Sequence, residues 1–210
     1  MESDDSSKDD LDESERNIEG KFHKHFVSGW DDDNEGIEDE NERPSDSPEK
    51  EILWCAEHGL VERVCELLVK DCSLARVRDK DGYTPLHRAA YSNNLDVLNV
   101  LLGYDADYNA ETNDKWTPLH SACHWNSAAC VEKLLSLDLN VNVQSEGGIT
   151  PLHLASSNSS SGETVLILLL HPNIDTSLKN NSDETAYEIA VRKGRLGRLF
   201  ELTEPCFNYI

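Results

Sequence analysis

Thr84-Pro85-Leu86-His87 recurs as Thr117-Pro118-Leu119-His120 and again as Thr150-Pro151-Leu152-His153, each copy 33 residues after the last. A weaker copy, Thr185-Ala186-Tyr187-Glu188, follows 35 residues later. Upstream, Ile52-Leu53-Trp54-Cys55-Ala56 matches the helix that follows such a motif, without the motif itself. One tetrapeptide would mean little; neighbouring columns in the same register decide the matter. A small column runs Cys55, Ala89, Ala122, Ala155 and Ala190. Two aliphatic columns run Val64, Leu98, Val131, Leu166 and Leu199, and Leu67, Leu101, Leu134, Leu169 and Leu202. Self-similarity at this period is the signature of a stacked repeat, and five units are expected.

The motif starts a helix for mechanical reasons. Threonine is a good N-cap, because its hydroxyl accepts a backbone N–H that the helix leaves unpaired. Proline at the first helical position has its φ preset and lacks only a donor that has no partner there. Gly59, Asn93, Asn126 and Gly194 stand where each first helix should end, and these residue types enter the left-handed region cheaply. The alanine column lets helices approach closely, and the leucine columns give the second helix a buried face that only neighbouring units can cover. The fold expected is all-α, a solenoid of helix–turn–helix units joined by β-turn tips.

Charge divides the chain. The net is −22, with 41 Asp/Glu against 19 Lys/Arg, and residues 1–48 hold 18 of the acids and 5 of the bases. That segment is too poor in aliphatics to offset its ordering entropy and is expected to be a disordered acidic tail. Phe22, Phe26, Val27 and Trp30, followed by Asp31-Asp32-Asp33, form one apolar island in it; such patterning fits an activation segment or a solvated tail. The expected organisation is then a tail over 1–48, a capping unit over 49–80, repeats over 81–113, 114–146 and 147–181, a C-terminal capping unit over 182–204 and a tail over 205–210. The third repeat carries a two-residue insertion, expected in the Ser-rich stretch Ser156–Gly162.

Several function classes are disfavoured. An acidic surface repels phosphate backbones and anionic lipid, so neither nucleic acid nor membrane is an expected partner. The N-terminus lacks an apolar signal run, and the longest aliphatic run, 165–170, is too short to span a bilayer; a soluble intracellular protein is expected. The six cysteines at 55, 65, 72, 123, 130 and 206 include no C-x-x-C pair and are read as free thiols in small core positions. His87, His120 and His153 invite a metal or catalytic reading. A full unit separates each from the next, about 8–10 Å between packed helices, whereas a metal needs ligands at about 2 Å. Their expected role is to tie one turn to the next by hydrogen bonds. No catalytic signature occurs, no cofactor or metal is expected, and the chain is not expected to be an enzyme.

Asp81-Gly82-Tyr83-Thr84-Pro85-Leu86-His87-Arg88-Ala89-Ala90 and Ala106-Asp107-Tyr108-Asn109-Ala110 resemble the ankyrin-repeat family, and the likeness covers about three-quarters of the chain, from near Glu49 to about Glu204. Departures are few: Asp105 and Asp138 replace a usual glycine, Ala186 replaces the proline, and the first unit lacks the tetrapeptide. The resemblance implies a concave protein-binding surface made by the turn tips and first helices. Mapped here, it holds Tyr83, Trp116 and Ile149 just before the threonines, and Tyr91, His124 and Trp125 on the first helices. These six are the expected partner-binding residues, the aromatics serving as anchors. Thr84, Pro85, His87, Thr117, Pro118, His120, Thr150, Pro151 and His153 are expected to be structural. The particular wording of the repeats, close to one small member of the family, implies a nuclear or nucleo-cytoplasmic adaptor in gene regulation. The alternative is a cytoplasmic inhibitory or chaperone-like subunit that sequesters a basic partner protein; a monomer is expected either way. Arg192, Lys193, Arg195 and Arg198 are read as an import patch or as the solvated end of the stack.

Overall fold

A computed structural model describes residues 47–158, 160–194 and 196–203, with Leu202 and Thr203 described by backbone alone. The expected disorder of residues 1–46 with its apolar island, the tail from 204 onward, Ser159, Arg195, Cys206 and the column place of Leu202 lie outside the described residues. Among the described residues there are ten helices: α1 Pro48–Glu57, α2 Val61–Lys70, α3 Pro85–Tyr91, α4 Leu95–Gly103, α5 Pro118–His124, α6 Ala128–Leu135, α7 Pro151–Ser157, α8 Gly162–Leu169, α9 Ala186–Lys193 and α10 Gly197–Thr203. A 3₁₀ turn, Cys72–Arg76, follows α2, and one isolated β-bridge joins Lys179 to Thr185.

The helices pair within each unit and stack between units. The first helices form one layer, α1 on α3 on α5 on α7 on α9, and the second helices form another in the same order. In the small column Cys55, Ala89, Ala122, Ala155 and Ala190 are all fully buried. Any larger side chain there would force adjacent first helices apart. Leu86, Leu119 and Leu152 are at most 1 % exposed, each burial contributing about 2 kcal/mol.

Helix ends follow the expected chemistry. Gly59, Asn93, Asn126 and Gly194 all have positive φ, at 71°, 56°, 57° and 128°. In the second unit the turn is tied back to the first: Asn94 Nδ2 donates to the carbonyls of Ala56 and Glu57 at 2.9 and 2.7 Å. Polar side chains in this way satisfy helix-terminal carbonyls that the helix itself leaves unpaired.

Three expectations need correction. The first unit does have a start signal: Ser47 caps α1, its Oγ accepting from the Lys50 N–H at 3.1 Å, and Pro48 opens the helix. The columns do not reveal it, because α1 is one turn longer than the other first helices and the cap stands three residues before its column. Ser47 and Pro48 therefore belong to the repeats and not to the tail. The second correction concerns the insertion, which is split. One extra residue lies in the turn between Thr150 and the α8 N-cap Ser161, and the other in the loop after α8, before Thr185. In consequence Val165 and Leu168 take the fully buried places, Leu166 is half-buried, and Leu169 is shifted off its column although still buried. In α10 Leu199 is likewise half-buried and Phe200 fills the core. Third, among the described residues only Cys55, Cys123 and Cys130 are core thiols; Cys65 is half-buried and Cys72 lies exposed in the 3₁₀ turn. Cys123 and Cys130 sit on different helices, α5 and α6.

Candidate protein-interaction face

Each threonine–histidine pair is a closed hydrogen-bonded box. The Thr84 N–H donates to His87 Nδ1 at 3.2 Å, and the Thr84 hydroxyl lies 2.9 Å from the same nitrogen. Thr117–His120 and Thr150–His153 repeat this at 3.1 and 3.2 Å. Because Nδ1 accepts, the proton sits on Nε2, which donates to the carbonyl just before the next unit's threonine. His87 reaches Trp116 O at 3.0 Å, His120 reaches Ile149 O at 3.1 Å and His153 reaches Glu184 O at 3.1 Å. In the last unit Glu188 closes the box instead, its Oε2 accepting from the Thr185 N–H at 2.7 Å. No further repeat turn follows α9 among the described residues, so a histidine at this position would find no carbonyl there for its Nε2 to meet.

The boxes place the residue before each threonine, and with it the tips. Asn113 N–H donates to Asp81 O, Glu146 N–H to Asp114 O and Asn181 N–H to Gly147 O, at 2.9, 3.1 and 2.9 Å. Successive turns thereby form a ladder beside the first helices. Burial and paired nitrogens hold the rings neutral: burial pulls His87 and His120 down to about 4, and His153 downward as well. A ring in that state neither carries charge nor offers a free nitrogen.

Four of the six expected binding residues form one chain of ring contacts. Tyr91 and Trp125 meet edge to face at 4.7 Å, Trp125 and His124 at 5.1 Å, and His124 and Trp116 at 5.5 Å. Trp125 is 37 % exposed at the C-terminal end of α5, while Tyr91 and His124 are half-buried. Trp116 departs from its expected exposure: it is 5 % exposed, its ring tilted against His120 at 5.9 Å and edge-on to His124. An indole that large, set against two histidines of the helix that follows it, supports the surface from beneath. Tyr83 stands apart from that chain, with Arg88 5.4 Å above its ring and His87 edge-on at 5.6 Å. Ile149 is half-buried one unit further on.

Sequence reasoning missed Arg88. It is 8 % exposed and reaches two carboxylates, Nη1 to Glu57 Oε2 at 3.2 Å and Nη2 to Asp79 Oδ2 at 2.7 Å. It thereby locks the first unit, its own turn and the Tyr83 ring together. The available signal was its column, where Ser121 and Leu154 stand in the next two units. Glu57 also lies close enough to Tyr91 to push that phenol up, after burial, which is the larger cause. Among the described residues no group of three His, Cys, Asp or Glu is arranged to hold a metal. No helix among them is long and apolar enough to cross a membrane.

Comparison with known proteins agrees with this architecture. A family profile described as ankyrin repeats matches three copies, over residues 52–145 and 105–180. The chain is 51 % identical over 183 residues to ankyrin repeat domain-containing protein 49 of Drosophila melanogaster, covering 87 % of this chain and 85 % of that one. It is 50 % identical over 188 residues to the protein of that name from Homo sapiens, covering 86 % and 79 %, and 56 % identical over 161 residues to the Bos taurus protein, covering 77 % and 68 %.

Proposed function

The chain belongs to the ankyrin-repeat family, and from that premise we propose that it is a non-enzymatic adaptor binding a protein partner on the face of turn tips and first helices. The observation that carries this reading is the Tyr91–Trp125 pair, with an indole left 37 % exposed among rings that hold it rigid. Pre-ordered aromatics lose little entropy on binding and dominate interface energies. Tyr91, His124 and Trp125 contact the partner, Tyr83 and Ile149 flank them, and Trp116 holds His124 in place. This face is the concave one of a stack, and the chain acts as a monomer that binds neither nucleic acid nor membrane.

The pathway proposed is regulation of gene expression in the nucleus, with some residence in the cytoplasm. It rests on the likeness of Tyr83–Ser92, Trp116–Cys123 and Leu178–Asn181 to the small ankyrin protein named fetal globin-inducing factor. Localising a fluorescent fusion of the full chain tests the compartment, and exclusion from the nucleus would end that part of the reading.

The binding test uses the full chain as bait in cell extract, with captured proteins quantified by mass spectrometry. Trp125→Ala is expected to weaken capture of the main partner about tenfold or more, with the thermal midpoint nearly unchanged. Capture as strong as that of the parent chain would refute the assignment. A second reading, sequestration of a basic partner, is favoured by the net charge of −22. It predicts that capture collapses between low and physiological salt, whereas aromatic anchoring predicts only a modest loss.

A further inference from the structure

Towards the first unit the aromatic face ends on a carboxylate. Glu57, Tyr91, His124 and Ser157 occupy one position of successive first helices, two residues after the small column. Glu57 is therefore the neighbour of Tyr91 across the packing of α1 on α3, and its side chain is 22 % exposed. Its Oε2 accepts from Arg88 Nη1 at 3.2 Å. Among the described residues its Oε1 has no hydrogen-bond or ion-pair partner.

This carboxylate is not neutralised by its surroundings. Arg88 is one cation between two carboxylates, Glu57 and Asp79, so the group keeps one negative charge. Asp79 is fully engaged: Oδ2 accepts from Arg88 at 2.7 Å, and Oδ1 accepts from the Asp81 and Tyr83 N–H groups at 3.0 and 2.8 Å. The surplus falls on Glu57. The other charges of the turns before α3 and α5 cancel, since Arg78, Lys80 and Lys115 stand against Asp81, Glu111 and Asp114. A half-buried charge is screened less than an exposed one. Covering it with apolar atoms alone would leave a buried acceptor unpaired, which is costly. Beside it Tyr91 and Trp125 form a corner, their ring planes 66° apart, and the face of such a ring attracts a cation.

We propose that the face binds a segment of its protein partner through one arginine or lysine side chain, whose stem lies in the corner between Tyr91 and Trp125 and whose charged end meets Glu57 Oε1. This rests on the aromatic face proposed above as the binding surface and names the chemistry of its occupant. A long basic side chain suits both halves of the site, with an apolar stem for the rings and a cation for the carboxylate. The net charge of the chain favours any basic partner at a distance, whereas this site demands one cation at a fixed place, which is a matter of specificity.

Selection from a library of random decapeptides displayed on phage tests it, at physiological salt, on the full chain and in parallel on Trp125→Ala. Peptides held only by net charge bind both chains alike and drop out of the comparison. Those that need Trp125 are expected to carry arginine or lysine at one aligned position, enriched about fivefold or more over the unselected library. On Glu57→Gln, which keeps an oxygen for Arg88, that enrichment is expected to vanish. On Glu146→Gln, which alters an exposed acid in the turn before α7, it should persist. Trp125-dependent peptides with no fixed cation overturn the inference and leave the aromatic face standing, as does a fixed cation that survives Glu57→Gln or is lost with Glu146→Gln. Absence of any Trp125-dependent peptide overturns both.

Discussion

At the scale of single residues, the histidine column shows how a motif that looks like chemistry becomes architecture. His87 and His120 are buried with Nδ1 accepting from a threonine N–H and Nε2 donating to a carbonyl one unit away. Protonation would break the first of these bonds and place a charge in the core, so burial drags both down to about 4. An unfolded histidine titrates near 6.5. Between those values the unfolded chain binds more protons than the folded one, and stability must rise with pH. The contribution is therefore complete above about pH 6.5 and is lost as pH falls towards 4. From pH 7 to pH 5 the loss is about 2 kcal/mol for each of the two rings, read as a falling urea midpoint. His87→Leu, which places there what Leu53 is in the first unit, should lower stability at pH 7 and also flatten the pH slope by one ring's share. An unchanged slope would mean that the imidazole is not held neutral. The tetrapeptide made this role readable, since its spacing excluded convergence on a metal. The fate of Trp116 was not readable, because its neighbours Tyr83 and Ile149 in the same column remain half-buried.

At the scale of the element, turns and caps carry the information that hydrophobic columns lack. Gly82, Lys115, Gly148 and Asp183 occupy one turn position, and all four have positive φ, Lys115 at 60°. A Cβ costs about 1 kcal/mol or more in that region, part of which glycine returns through its freer unfolded chain. Lys115→Gly should therefore stabilise the fold by up to about 1 kcal/mol, measured by urea unfolding. Gly148→Ala should do the reverse and by more, because its Cβ would fall 2.7 Å from Asn181 Oδ1 and 3.1 Å from the Asn181 nitrogen in the turn ladder. The first helix gives a third case. Ser47→Ala removes the oxygen that caps α1 and should cost about 1 kcal/mol; a cost near zero would mean that α1 starts later, where the column alone would put it. The cap escaped detection because alignment compares columns, whereas a helix is free to begin a turn earlier without disturbing them.

For the whole molecule, three columns aligned over five units made the architecture legible, and their failures are local. A two-residue gain between Thr150 and Thr185 has the same total wherever it falls, so counting cannot divide it; packing does, because α8 can bury Val165 and Leu168 together only if one residue enters on each side. The candidate face was legible in type but not in arrangement, since ring contacts such as Tyr91 with Trp125 join residues of neighbouring units whose mutual tilt no column records. The same one-dimensional order governs cooperativity. A central first helix is covered on both sides and a terminal one on one, so stability falls towards the ends of the stack. Amide protection in the parent chain should accordingly be highest in α3, α5 and α7 and lower in α1 and α9. Leu119 is 1 % exposed at the middle of the column, and its truncation to alanine should cost about 2–5 kcal/mol by leaving a cavity. Because α5 joins the units on either side, that loss is also a loss of coupling. Native-state exchange of Leu119→Ala should then separate into two groups of amides that open independently, α1–α4 and α7–α10. A uniform fall in protection across all ten helices would show instead that the stack unfolds as one block.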